Sequence, residues 1–200
     1  MEVKEAIQKR RSIRHFKEKK VKKEDVDLIL EAARLAPSGT NLQPWRFIVI
    51  ESDKMRNKLQ DCTLDFAAQA PTIIACAVDY NAVDEMPQRI RELAETGAFK
   101  GTALEKDDDS EYSGREMDEE EIKRYLYLND AIAIENMALQ ATELGLGSCW
   151  VMIFNSDKLA EVLDLDDNLE LVSLLALGYA DEEPLQRPRL SLDEIVLDRV

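Results

Sequence analysis

Arg10, Arg11, Ser12 and Arg14 place three guanidiniums and a hydroxyl within five residues. Such a cluster can hold a phosphate through charge-assisted, bidentate hydrogen bonds, and it can equally be a solvated helix end. A second candidate is the run Pro37-Ser38-Gly39-Thr40-Asn41-Leu42-Gln43-Pro44-Trp45. Two prolines stiffen it, Gly39 permits close backbone approach, and Ser38, Asn41 and Gln43 supply directed donors and acceptors. A stiff, polar, uncharged loop suits a planar heterocycle with amide-like edges better than a metal or a sugar. The plain alternative is an ordinary connection between a helix and a strand. Arg187 and Arg189 form a third basic element near the end of the chain, weak by itself.

Several other chemistries are disfavoured. His15 is the only histidine, which excludes a multi-histidine metal site and leaves Cys149 without an evident base, so that cysteine reads as structural. Cys62, Cys76 and Cys149 are odd in number, widely spaced and free of a C-x-x-C, which argues against a disulfide framework and a four-cysteine zinc site and suits a reducing compartment. Gly145-Leu146-Gly147 is not a dinucleotide-binding fingerprint, because Trp150 stands where the third glycine is needed and the order runs from helix to strand. The opening MEVKEAIQKRRS places charges where a signal peptide has its apolar region. Apolar runs such as residues 73–78 fall far short of the ~20 residues of a membrane span. A cytoplasmic protein without membrane or nucleic-acid partners is the expectation.

The net charge of −15 over 200 residues disfavours a nucleic-acid binder working through bulk charge. It is unevenly divided. Residues 9–23 hold nine Lys/Arg and one acid, a net of +8, whereas residues 105–121 hold ten acids and two basic residues, a net of −8. Charge runs of this kind are commonly solvated faces or loops. The acidic one is expected to begin as a mobile surface excursion.

These residues need elements to position them. Val3, Ala6 and Ile7 suggest a short helix ending near Arg10. Val26, Ile29, Leu30 and Ala33 follow helical spacing over residues 23–35, with Pro37 and Gly39 as the stop. Residues 46–50 and 72–78 read as strands, with a helix at 54–62 between them, and residues 84–95 have helical composition. The longest helix is expected over 118–144. Leu128, Ile132, Glu135, Leu139 and Thr142 line one flank and Ala131, Ile134, Ala138 and Ala141 another, so the helix is either central or packed on another subunit. Residues 149–154 and 171–177 complete the strands, with a helix at 156–163. With 45% hydrophobic residues and no Pro/Gly/Ser linker, residues 1–200 should form one α+β domain.

In this order and spacing, the residues resemble the FMN-dependent nitroreductase family. The pieces that carry the resemblance are RRSIRHF (10–16), APSGTNLQPWRFIVI (36–50), AP (70–71), GLGSCWVMIF (145–154), LGY (177–179) and RPRLSLDEIV (187–196). The resemblance implies a central, mostly antiparallel sheet flanked by helices, and a homodimer built on a long central helix with FMN at the subunit interface. Arg10, Arg11, Ser12 and Arg14, with Arg187 and Arg189, would take the phosphate and ribityl chain. Pro37, Ser38, Gly39, Asn41 and Gln43 would reach the flavin across the interface. Trp150, Val151, Met152 and Ile153 resemble the strand whose backbone faces the flavin ring. Two features depart from the family pattern. Gly39 stands where a second serine is common, and residues 61–69 lack the polar groups that meet the pyrimidine edge.

The resemblance implies flavin-borne chemistry without catalytic side chains, passing hydride from NADH or NADPH through N5 to a nitroaromatic, quinone or similar planar acceptor. An alternative within the fold is reductive dehalogenation, desaturation or flavin fragmentation, since residues 80–123, where resemblance is least, would set the acceptor. An alternative of another class is a non-enzymatic module that docks an anionic partner through residues 9–23.

Overall fold

A computed structural model of the chain describes residues 1–102, 105 and 116–200. The acidic excursion expected at 105–121 therefore lies mostly outside the described residues.

Fourteen segments of regular structure are seen among the described residues. Helix α1 (Val3–Lys9) and α2 (Lys23–Arg34) precede a 3-10 turn (Gly39–Asn41) and strand β1 (Trp45–Ile50). Helices α3 (Asp53–Leu59) and α4 (Asp65–Ala68) lead to β2 (Thr72–Asp79), a second 3-10 segment (Tyr80–Glu85) and α5 (Met86–Glu95). Then come α6 (Glu119–Glu143), β3 (Gly147–Val151), α7 (Ser156–Leu163), β4 (Leu169–Gly178) and a last turn, α8 (Leu192–Ile195). The strands form one sheet in the order β1-β2-β4-β3, and every pairing is antiparallel.

The middle strand β2 is buried along its whole length, so its side chains feed two cores. Ile74 and Cys76 join Leu175 and Leu177 of β4 under α6 and α2. Ile73 and Ala75 join Leu174 and Ala176 on the other face, under α3, α4 and α7. This is the alternation that a strand covered on both sides requires. A third cluster joins Leu42 and Val78 to Met86 of α5 and Leu126 of α6.

Helix α6 is the central element expected from the sequence. A capping box starts it: the Glu121 N–H donates to Asp118 Oδ1 at 2.8 Å, and the Asp118 N–H donates to Glu121 Oε2 at 3.3 Å. Ala133, Ile134, Met137, Ala138 and Ala141 are fully buried, whereas Leu128 on the opposite flank is 64% exposed. Among the described residues no helix is long and apolar enough to cross a membrane, and no group of three or more His, Cys, Asp or Glu is placed to hold a metal.

One expected strand ends early. β3 stops at Val151, so Met152 and Ile153 lie beyond it, both 67% exposed. The chain leaves β4 there because the residues after α3 take over its backbone. Thr63 Oγ1 donates to the Ile153 carbonyl at 2.8 Å, and the Asn155 N–H donates to the Cys62 carbonyl at 2.7 Å.

The core under α6 holds an anomaly. Asp130 is fully buried, and neither carboxylate oxygen has a hydrogen-bond partner. Trp150 Nε1 is also unpartnered, and Ser173 Oγ beside the Cys76 thiol forms no hydrogen bond of ordinary geometry. Burial pushes the Asp130 carboxyl up from 3.8 to about 7. Between those values the folded protein holds a proton that the unfolded chain has released, so stability falls as pH rises through that window, by about 1.4 kcal/mol per unit. Asp130→Asn removes this term. The unfolding free energy of wild type should therefore drop more than that of Asp130→Asn between pH 5 and pH 8 in urea denaturation. Equal drops in the two proteins would assign the pH dependence to another group.

Candidate functional site

The segment after α1 has no regular structure of its own and is fastened to the sheet edge. Ser12 bridges Ser148 of β3, and the Ile13 N–H donates to the Ser148 carbonyl at 2.9 Å. Ile13 is buried against Gly147, where an added Cβ would come within 2.6 Å of its side chain. Further along, the Lys17 N–H donates to the Tyr179 carbonyl at 2.9 Å. With Ser12 and Ile13 pinned inward, Arg11 and Arg14 on either side are left at the surface.

The tail returns to the same place. Arg10, Arg11, Ser12 and Arg14 line one pocket with Pro184, Leu185, Arg187 and Arg189, so two sequence-predicted clusters from opposite ends of the chain meet. The pocket wall holds five guanidiniums and no carboxylate. Arg10 has one acidic partner, Glu135 of α6 at 3.5 Å. Among the described residues, the guanidiniums of Arg11, Arg14 and Arg189 donate to backbone carbonyls: Gln8 and Arg10, Ser12, and Arg187 and Pro188 respectively. Arg14 also lies 5.9 Å from the Phe66 ring centroid, which brings an aromatic residue of α4 to the basic loop. Five like charges on one wall, with a single carboxylate partner behind Arg10, repel one another and favour an anion between them.

Glu182 orders the loop from the tail side without entering the pocket. Its Oε1 accepts from the Arg14 N–H at 2.5 Å and from the His15 N–H at 3.1 Å, and these donors hold its carboxyl below the usual carboxylate range. Neither partner was evident from the sequence, since Glu135 lies far from Arg10 and Glu182 far from Arg14 along the chain.

The polar loop at 37–44 stands elsewhere, against the N-terminal half of α6, and shares no wall of the arginine pocket within one chain. Thr40, Asn41 and Gln43 all take left-handed backbone, with φ of 49°, 53° and 51°. Residues other than glycine there cost about 1 kcal/mol or more each and need support. The Gln43 N–H donates to Ser38 Oγ at 3.0 Å, Gln43 Nε2 donates to Asn41 Oδ1 at 3.2 Å, and Leu42 is an apolar anchor buried to 2% exposure. From α6, Asn129 Oδ1 accepts the Gly39 N–H at 2.8 Å, and the Tyr125 hydroxyl lies 3.2 Å from Thr40 Oγ1. A Cβ at residue 39 would collide with the Tyr125 hydroxyl and approach Cζ and Cε2 at 2.8 Å, which accounts for glycine at this position. Sequence reasoning missed Tyr125 and Asn129. Their i, i+4 spacing, and a polar Asn129 on an otherwise apolar face, were the available signals.

Burial raises the thiol pKa of Cys149, beside the basic loop on β3, and keeps it protonated, as a structural cysteine requires. Near the start of the 80–123 excursion, Glu170 of β4 accepts from Tyr80 Oη and Lys123 Nζ, each at 2.5 Å, and Arg46 Nη2 pairs with Asp79 Oδ2 at 2.7 Å. Helix α5 packs directly on the 39–41 turn, so the excursion borders the polar loop.

The sequence model described as the Nitroreductase family matches residues 7–179. A Thermus thermophilus protein named NADH dehydrogenase is 29% identical, covering 100% of this chain and 97% of the relative. A crystal structure of a nitroreductase family protein from Clostridium difficile superposes with a TM-score of 0.74 at 31% identity, over 98% of this chain and 97% of that one. A candidate nitroreductase from Exiguobacterium sibiricum, solved in complex with FMN, superposes with a TM-score of 0.77 at 25% identity, over 98% and 96% of the two chains.

The Glu182 contacts predict a loss of about 1 kcal/mol for Glu182→Gln at pH 7 in urea denaturation, as expected when a charged acceptor is replaced by a neutral one. Because the Glu182 carboxyl is depressed, its contribution is present above the unfolded value and fades as pH falls through the folded one. The gap between wild type and variant should therefore close toward pH 3. A gap that persists there would assign the loss to packing instead.

Proposed function

We propose, because the chain belongs to the nitroreductase family, that it is an FMN-binding oxidoreductase that uses NADH or NADPH to reduce a planar acceptor such as a nitroaromatic or a quinone. The observation that carries this reading is the pocket of five arginines and Ser12, whose wall has no carboxylate of its own. That donor set fits the phosphate and hydroxylated chain of FMN: guanidiniums for the dianion, a serine hydroxyl for an ester or ribityl oxygen. The relative solved with FMN supports the same choice of cofactor.

Arg10, Arg11, Ser12 and Arg14, with Arg187 and Arg189, would hold the phosphate end. Pro37, Ser38, Gly39, Asn41 and Gln43 would meet the ring, along with the backbone of Trp150, Val151, Met152 and Ile153. When bound, FMN supplies the redox chemistry, taking two electrons as hydride from the nicotinamide and passing them to the acceptor. The chain's part is to bind, orient and exclude water. The arginines would neutralise the phosphate, and Ser12 would add a neutral donor beside them. The uncharged loop offers directed hydrogen bonds without adding a competing carboxylate.

A homodimer completes the assignment. The arginine pocket and the polar loop are separate within one chain, and Leu128 and Ile132 leave an apolar flank of α6 exposed, as expected where a second copy packs. The loop of one protomer would then close the pocket of its partner. Cys62, Cys76 and Cys149 are all free thiols, which suits the reducing cytoplasm.

The purified protein should be yellow, or should turn yellow on titration with FMN, and NADH or NADPH should bleach it anaerobically. Arg14→Ala should weaken FMN binding about tenfold to a hundredfold while leaving riboflavin, which lacks the phosphate, nearly unaffected. Fluorescence-quenching titrations with both flavins test this. Equal losses for FMN and riboflavin would remove Arg14 from the phosphate site, and a wild-type protein that takes up neither flavin would refute the function.

A further inference from the structure

We propose that Tyr125 and Asn129 of α6 are positioning residues of the cofactor site, clamping the 38–43 turn in the single strained conformation in which it meets the flavin. The proposal rests on the flavin reading above and adds residues that neither the basic pocket nor the polar loop contains.

The directions of the hydrogen bonds define the clamp. Asn129 is buried to 3% exposure, and both ends of its amide are used: Oδ1 accepts the Gly39 N–H at 2.8 Å, and Nδ2 donates to the Tyr125 carbonyl at 2.8 Å. The side chain is therefore fixed by its own helix before it reaches the loop. Thr40 Oγ1 donates its single proton to the Gly39 carbonyl at 2.8 Å. Its 3.2 Å contact with the Tyr125 hydroxyl is then one in which the tyrosine donates and the threonine accepts. Together the two α6 residues hold the Gly39 N–H and the Thr40 side chain, at the point where the backbone enters its left-handed stretch.

Tyr125 also acts by volume. Gly39 does not lie in the left-handed region, so it is not glycine for the sake of its backbone. It is glycine because the tyrosine ring fills the space of a side chain there. Residues 39 and 125 are therefore a matched pair, and the tyrosine hydroxyl stands where a side chain at 39 would project. Ser38, Asn41 and Gln43 hang from this fixed point, and Leu42 locks the other side into the cluster with Leu126. A loop that must reach into another protomer's site gains most from being ordered beforehand, since ordering it on binding would weaken affinity.

The full-length apoprotein is suited to the test, with three readouts: hydrogen exchange of the 38–43 amides, FMN affinity, and affinity for inorganic phosphate as a probe of the arginine pocket alone. Asn129→Ala and Tyr125→Phe should speed exchange at Gly39 and Gln43 and weaken FMN binding, about tenfold for the former and severalfold for the latter. Phosphate affinity should not change, whereas general damage to the fold would lower it too. Gly39→Ala should weaken FMN binding, and Gly39→Ala combined with Tyr125→Ala should recover part of the loss, because the collision is removed. Variants that bind FMN as wild type does, or a double variant no better than the sum of its parts, overturn the clamp. Wild-type protein that takes up phosphate but no FMN overturns instead the flavin reading on which the clamp depends.

Discussion

The burial of α6 between the sheet and α2 is the contact from which the other features follow. Ala133, Ile134, Met137, Ala138 and Ala141 are removed from water entirely, and full burial of each larger apolar side chain is worth about 2 kcal/mol. The small residues matter as much as the large ones. Alanines at 133, 138 and 141 let the helix lie close to β2 and β4, so its axis is fixed relative to the sheet. Every polar group projecting from it is then fixed as well. Asn129 reaches the 39 turn, Glu135 reaches Arg10, and Asn136 Nδ2 donates to the Ala32 carbonyl at the end of α2. One rigid helix thus registers the polar loop and the basic segment against each other, although neither has regular structure long enough to hold itself.

That rigidity is also what allows locally unfavourable features to persist. Three left-handed residues in the 40–43 stretch and an unpartnered carboxyl at Asp130 would not survive in a loosely packed domain. The strained loop lies against Asn129, and Asp130 is the next residue of the same helix, turned toward the core that holds Cys76. Strain is tolerated where the surrounding core over-determines the geometry. For the loop that region is the third apolar cluster, in which Leu42, Met86 of α5 and Leu126 of α6 are packed together.

The helices and strands were largely legible in the sequence because their signals are local. Val26, Ile29 and Ala33 bury as their spacing implies, and Asp118 stops the unwinding of α6 by a capping box written in four adjacent residues. The fold expected from the resemblance, a largely antiparallel sheet around one long helix, is the one observed. What was not legible depends on distant partners. β3 stops at Val151 instead of continuing to residue 154 because Thr63 and Cys62 compete for its backbone. Helix α4 is a single turn with no periodicity to read. The arginines at both ends of the chain were visible as types, but their meeting is a product of the Ser12–Ser148 bridge and the returning tail. Glu182 carries no signal until Arg14 is placed beside it, and Tyr125 carries only its i, i+4 spacing to Asn129 until Gly39 is placed against it.

The charge distribution gains its meaning at this level. A basic run in an unstructured segment would neutralise itself by finding acids, and this chain has an excess of them: 41 against 26 basic residues. Yet among the described residues Arg11, Arg14, Arg187 and Arg189 form no ion pair, and Glu182, beside the basic loop, is occupied by two backbone N–H groups. Keeping acids out of such a pocket in so acidic a protein requires that the geometry withhold them. The sheet edge does so by turning Ser12 and Ile13 inward, and α6 does so by holding Glu135 to one side, against Arg10 alone. Guanidiniums left without carboxylate partners in this way cost little while water solvates them, and they gain most from a dianion of tetrahedral shape. A net negative protein also repels polyanions at long range while a basic cleft still attracts a small anion at short range, because salt screens the former interaction more than the latter. On the proposed reading, selectivity for a small phosphorylated ligand over nucleic acid would follow from where the arginines form no ion pair, against the sign of the net charge.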